Sequence, residues 1–320
     1  MITNISKIKK LAVLSFFVAC VSFESNAQQD PHYTQYMYNL SVVNPAYAGS
    51  KESISGGLLY RKQWVQIEDA PTTGTFFLHS PVGNNLGLGV SVISDKIGPV
   101  QENNLYADVS YTLKLGGEHR LAFGMKAGAT FHKVGLFSDI GNDRVPDAFD
   151  PAFQENANKT FLNIGTGLFY YTDKYYLSAS IPNMLKSNYL DYRYSRDNQN
   201  YKFGTEVLHY FFTGGYVFDL SPYVKFKPFA MVKTALKEPT SWDVSANFLF
   251  NNKFEVGATY RREDSFGAMV NYAITPGLRI GYAYDHIVSD LKVTTPSSHE
   301  FMLLFDIFPS KKVSQSPRYF

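Results

Sequence analysis

The chain repeats one pattern: apolar and polar residues alternate in short segments separated by turn formers. In "FEVGATYR" (254–261), Phe254, Val256, Ala258 and Tyr260 alternate with Glu255, Gly257, Thr259 and Arg261. "RIGYAYD" (279–285) and "WDVSANF" (242–248) do the same, the latter placing Trp242, Val244, Ala246 and Phe248 opposite Asp243, Ser245 and Asn247. Side chains of a strand point alternately to opposite faces, so a period of two marks strands with one apolar and one polar or small face. A soluble sandwich would bury the apolar face, whereas a membrane barrel turns it to lipid and the polar face to its lumen. Composition favours the second. The chain holds 23 Tyr and 26 Phe, only 18% charged residues and 23 Gly, at a mean hydropathy of -0.18. After residue 27 no run reaches the roughly 18 apolar residues that a spanning helix needs.

The segments number about fourteen, near 54–64, 73–80, 85–96, 103–115, 119–134, 160–172, 175–184, 209–220, 224–234, 240–250, 253–263, 265–275, 278–289 and 299–308. An even number suits a barrel that starts and ends on the periplasmic side. The connections sort accordingly. "VGNN" (82–85), "GGE" (116–118), "TDK" (172–174), "SPY" (221–223), "NN" (251–252) and "TPG" (275–277) alternate with the rest and are all tight. The long stretches 135–159, 185–208 and 290–298 fall on the other side. Short turns on one side and long loops on the other define an outer-membrane barrel. The expected fold is therefore an all-β transmembrane antiparallel barrel of about 14 strands, residues 54–308. Pro228 inside a strand predicts a bulge. "HEFMLLFDIF" (299–308) ends in an aromatic, like the closing-strand signal of such barrels.

The ends carry other signals. Lys7, Lys9 and Lys10 precede the apolar run "LAVLSFFVACVSF" (11–23), and "SNA" (25–27) supplies small residues for cleavage. Residues 1–27 read as a secretory signal peptide, too short for a membrane span. Phe17 fits a lipid-attachment motif at Cys20 poorly. Cleavage would remove that single cysteine, leaving no thiol chemistry. It would also take three lysines and one glutamate from totals of 30 basic and 28 acidic residues, which balances the charge. A neutral chain gives no footprint for nucleic acid. Residues 28–53 begin at the periplasmic mouth yet hold Tyr33, Tyr36, Met37, Tyr38 and Tyr47, too apolar for a free tail. They are expected to fold into or across that mouth as a partial plug, with Tyr36 and Tyr47 packing, Asn44 and Pro45 turning the chain and Gly49 releasing it into the first strand. Residues 309–320 form a polar periplasmic tail.

Little points to catalysis. No G-x-S-x-G, H-E-x-x-H or P-loop occurs. His32 lies before the strands, and His79 and His299 sit near strand ends, where hydrogen-bonded structural roles are expected. Asp139, Asp143 and Asp147, with Asn142 and Asp150, gather oxygens that could hold Ca²⁺, but their spacing is not that of an EF-hand and a solvated acidic loop is favoured. No cofactor or resident metal is expected. In "YLDYRYSRDNQNY" (189–201), Tyr189, Tyr192 and Tyr194 interleave with Arg193 and Arg196, residue types enriched at protein interfaces, so the loop is a candidate docking surface.

Seven stretches together resemble one family: "QYMYNLSVVNPAYAGS" (35–50), "YRKQWVQIEDAPTTGTFFLHSPV" (60–82), "GLGVSVISDKIGP" (87–99), "YYLSASIPNML" (175–185), "KPFAMVK" (227–233), "GYAYDHIVSDL" (281–291) and "HEFML" (299–303). The chain resembles the PorP/SprF outer-membrane barrels of the type IX secretion system of Bacteroidota. That resemblance implies a non-enzymatic outer-membrane component. Its implied partners are other type IX components and a secreted surface protein with a C-terminal sorting domain, in some members a large adhesin linked to gliding. No catalytic residues carry over from the family. Three further readings remain: a transporter for hydrophobic small molecules, since some fourteen-stranded transporters carry an Asn-Pro-Ala plug like Asn44-Pro45-Ala46; a hydrolase or acyltransferase; and an open porin.

Overall fold

The computed structural model describes residues 33–51, 53–135, 157–185, 188–193, 200–205, 208–235, 238–289 and 297–307. The signal region 1–27 and the tail 309–320 lie outside them. The wall begins with β1 (Ile54–Lys62), β2 (Thr72–Val82), β3 (Leu86–Ile97), β4 (Val100–Gly116), β5 (His119–Val134), β6 (Ala157–Tyr171) and β7 (Tyr175–Ile181). A separate hairpin follows, β8 (Asn188–Arg193) with β9 (Asn200–Thr205). The wall resumes with β10 (His209–Tyr216), β11 (Phe218–Ser221), β12 (Val224–Ala235), β13 (Glu238–Phe250), β14 (Phe254–Arg261), β15 (Ser265–Thr275), β16 (Leu278–Ile287) and β17 (Ser297–Ile307).

Neighbouring strands pair antiparallel throughout, and β1 pairs with β17 from Ile54↔Ile307 to Lys62↔His299, which closes the sheet on itself. β10 and β11 both pair with β12 and form one interrupted wall strand, so the barrel has 14 strands. The interruption lies opposite Pro228. Gly215↔Phe229 and Phe218↔Phe226 keep a common register, so the proline removes a rung without inserting a residue. The expected bulge at Pro228 is thus a break in the facing strand, caused by a missing N–H donor. The register shift in β12 falls instead between Lys233 and Ala235.

The short connections gather at one end, and their backbone explains their tightness. Asn251 and Asn252 both have positive φ (51° and 54°), as a two-residue turn matching strand twist requires. Gly83 (φ 74°) and Gly117 (φ 56°) serve the β2–β3 and β4–β5 turns. The other end carries the 63–71 connection and the hairpin β8–β9, where only loop was expected. In outer-membrane barrels the short-turn end is periplasmic.

Alternation sets inside from outside. Leu58, Leu88, Val90, Val92, Leu105, Val109, Phe123, Leu162, Leu168, Leu177, Val244 and Phe301 are exposed on the outer face. An arc of aromatics follows the short-turn end from β6 to β13: Tyr170, Tyr175, Tyr216, Phe218, Phe226 and Phe248 lie in successive contact. Such belts sit where hydrocarbon meets water. The inward face is polar yet buried, with Arg61, Asp108, Lys126, Lys227, Glu255, Arg261, Asp285 and Glu300 all shielded from solvent. Something other than water therefore fills the lumen. Leu58 stands at the middle of β1 between Leu303 and Phe76, facing out. We expect Leu58→Arg to cost about 2–4 kcal/mol in lipid-refolding titrations, the penalty for a cation at the bilayer midplane.

Candidate functional site: the occupied lumen

The occupant is the chain's own N-terminal segment. Residues 33–48 are all buried. They form a 3-10 turn at Tyr36–Tyr38, one helical turn at Leu40–Val43 and a second 3-10 turn at Pro45–Tyr47. The sequence dictates the last of these. The Asn44 side chain accepts from the Ala46 N–H at 2.9 Å, capping a turn whose first residue is the proline, which needs no donor there. Gly49 then takes φ 69°, which an L side chain rarely adopts, and redirects the chain toward β1.

Four polar clusters in the wall hold this segment. Nearest the long-loop end, Arg61 of β1 pairs with Asp285 of β16 at 2.8 Å and with Glu300 of β17 at 3.3 Å. Arg61 also donates to the Thr34 hydroxyl at 2.5 Å, and Glu300 accepts the backbone N–H groups of Thr34 (2.7 Å) and Gln35 (3.0 Å). Beside it, Arg261 of β14 joins Asp243 of β13 at 2.9 Å and donates to the Tyr33 carbonyl at 2.5 Å. The Tyr33 hydroxyl meets Thr75 of β2 at 2.7 Å.

Toward the short-turn end, Glu255 of β14 accepts from the Tyr38 phenol and from Lys227 of β12 and Arg279 of β16, at 3.1 and 3.2 Å for the two cations. Burial, with Glu255 adding to it, pushes the Tyr38 phenol well above its ordinary pKa, so it stays protonated and donates. On the opposite wall Lys126 of β5 pairs with Asp108 of β4 at 3.7 Å and donates to the Val42 carbonyl at 2.6 Å. Ser180 and Ser110 take the Val43 and Ala48 carbonyls at 2.8 and 2.6 Å. Asn44 donates to the Leu168 carbonyl (2.9 Å) and to Ser178 (2.6 Å). Backbone groups of an irregular segment buried inside a barrel must find partners, and here the wall supplies them.

Apolar packing completes the seat. Tyr47 lies edge-on between His79 and Phe169, with centroids 5.3 and 5.2 Å away. Glycine in the wall makes the approach possible. A Cβ on Gly124 would collide with the backbone of Pro45 and Ala46, and one on Gly87 with the Ala48 carbonyl.

Tyr36, Asn44, Pro45, Tyr47 and Gly49 are therefore placed together inside the barrel, reaching well beyond its mouth to the level of Arg61. The proposed docking residues Tyr189, Tyr192 and Arg193 lie along β8, whose backbone pairs with β9. Tyr194 and Arg196 lie outside the described residues, as do Asp139, Asp143 and Asp147. Among the described residues no group of three or more His, Cys, Asp or Glu is placed to hold a metal ion. The charged anchors themselves were not among the expected site residues. Their signal was available: a charge at the inward parity of a strand whose other parity is apolar, as at Glu255 and Asp285.

Lumen and wall together define an outer-membrane β-barrel closed by its own N-terminal segment. The chain belongs to the family described as "Type IX secretion system membrane protein PorP/SprF", whose model matches residues 25–305. It resides in the outer membrane as a component of that system. Its fold is similar to that of the CymD monoaromatic hydrocarbon channel, at TM-score 0.53 and 12% identity over 86% of this chain and 92% of that one. The Ralstonia pickettii toluene transporter TbuX aligns at TM-score 0.48 and 12% identity, over 82% and 92%. At such identity the CymD likeness speaks for fold alone. No curated protein matches the sequence significantly.

Two outcomes test the seat. Glu255→Gln leaves Lys227 and Arg279 without their shared counter-charge, which costs about 3–5 kcal/mol when a buried pair is broken. The folded band of the variant should convert to the unfolded one at lower temperature on unheated-versus-heated gels. Gly124→Val overpacks the contact with Ala46, a strain of about 1–3 kcal/mol. Because that strain falls on the plug more than on the strand ladder, the variant should show ion conductance in planar bilayers above that of the unaltered barrel.

Proposed function

We propose that this barrel is a non-enzymatic outer-membrane component that supports the secretion or surface anchoring of a partner protein exported by the type IX system. The family match carries the reading, and the geometry agrees with it. A lumen occupied along most of its depth by a fastened segment suits a barrel that acts through its rim and wall more than one that conducts solute. The partner we propose is a secreted surface protein with a type IX sorting domain, such as a large adhesin used in gliding. An N-terminal export signal at residues 1–27 and a periplasmic tail at 309–320 complete the proposed arrangement.

The alternative, transport of hydrophobic small molecules, draws on fold likeness and on the Asn44-Pro45-Ala46 stretch. It would need an open path, and the plug instead fills the lumen, packed on apolar wall residues such as Phe77 and Phe169 and fastened by ion pairs and hydrogen bonds.

Deleting the gene and comparing the cell-surface proteome decides between them. The export role predicts loss of one or a few surface proteins, restored by the unaltered gene. An unchanged surface proteome, together with uptake of labelled hydrocarbon by liposomes carrying the barrel, would contradict it.

A further inference from the structure

The outer face of the wall is hollowed where the sheet closes. A groove of about 830 Å³ crosses β3, β2, β1, β17, β16 and β15, between two adjacent rows of outward side chains. The upper row runs in register from Ser94 through Gly74, Tyr60 and Phe301 to Val270. The lower row runs from Val92 through Leu58 to Tyr272. At the spacing of neighbouring strands the groove is roughly 24 Å long. The sequence explains its upper end: Gly74 and Ser94 are small residues beside Tyr60 and Phe76. A Cβ added to Gly74 would meet nothing within 4 Å, so the groove reaches bare backbone there.

The next row toward the long-loop end is cationic. Lys62 of β1 stands in register with Thr72 of β2, and Thr72 with Lys96 of β3. Both lysines are exposed and share the outward parity of Tyr60 and Ser94, about 7 Å beyond them along the strands. With one strand between them, they stand roughly 9–10 Å apart. The nearby strand acids point inward: Asp95 accepts from the Thr73 hydroxyl, and Glu102 lies 3.5 Å from His132. Among the described residues no carboxylate pairs with Lys62 or Lys96. Lys62 lies four residues past Leu58, which on a tilted strand is about 10 Å nearer the outside, at the edge of an apolar band about 25 Å tall. The lysines therefore meet the headgroups of the outer leaflet, and the groove below them meets its chains.

We propose that lysines and groove form one site for a phosphorylated lipid of the outer leaflet. Its phosphate would lie between Lys62 and Lys96, where the short Thr72 leaves room, and one acyl chain would lie along the groove from Gly74 toward Tyr272. Two unpaired cations at headgroup level favour an anionic lipid over a zwitterionic one. Apolar surface of matching length favours a chain that stays over one that exchanges with its neighbours. The bound lipid would bridge β3 to β15 across the β1–β17 seam. This inference goes beyond the export role and does not depend on it.

Native mass spectrometry of the folded full-length protein, titrated in mild detergent with bisphosphorylated lipid A, tests the site. One lipid A should remain bound per barrel, and phosphatidylethanolamine should not replace it. Lys62→Ala with Lys96→Ala should weaken retention roughly 10- to 30-fold, the loss of two cations facing an anionic lipid. Gly74→Phe, whose ring enters open space, should fold normally by its heat-shifted gel band and also weaken retention. Lys133 of β5 continues the same row two strands beyond the groove, and Lys133→Ala should leave retention unchanged. Equal retention of lipid A and phosphatidylethanolamine would overturn the proposal. So would undiminished retention by the double lysine variant, or an equal loss with Lys133→Ala. Each of these would mean that the lysines only carry their charge past apolar surface to water.

Discussion

The ion pairs of Arg61 with Asp285 and Glu300 are the constraint on which the lumen depends. All three groups are buried, and none could stand charged in a dry interior without the others. Their geometry exists only because β1 and β17 close the sheet in one register. It is completed by Thr34, which takes a hydrogen bond from the arginine, gives one to Asp285 (2.5 Å) and gives its N–H to Glu300. Closure of the wall and seating of the plug are thus one event. A one-residue slip of β1 against β17 would turn Arg61 out to lipid and leave Thr34 unanchored.

The same logic recurs down the lumen. Glu255 with Lys227 and Arg279, Asp108 with Lys126, and Asp243 with Arg261 each join wall strands to one another and then reach the plug through a phenol or a carbonyl. Buried ion pairs add little net stability compared with apolar packing, but they specify geometry, because a misplaced partner leaves a bare charge. A short segment with hardly any regular structure is in this way held to one path.

Much of the barrel was legible in the sequence, because lipid on one side and lumen on the other force a period of two. "FEVGATYR" and "WDVSANF" declared β14 and β13 with their faces assigned. The hairpin β8–β9 was not legible, since "NYLDYR" (188–193) shows no regular alternation of polar and apolar residues. At Pro228 the residue was noticed and its effect misjudged: a missing donor interrupted the facing strand and left the register intact. In the lumen, "SVVNPAYAGS" announced a buried turn, and strand parity could place Arg61 inside. That Arg61 meets Glu300, 239 positions away, follows only from the register of closure, which no local pattern records. The early end of β7 was not read: the expected strand 175–184 ran through Pro182, whereas β7 ends at Ile181.

The central claim is that residues 33–49 are part of the folded barrel and sit inside it. Proteolysis of the intact protein in outer membranes, followed by mass measurement of the surviving fragment, addresses this directly. The account predicts a resistant fragment whose first residue is Tyr33 or earlier. Trimming to the start of β1 at Ile54 while the barrel survives would contradict it.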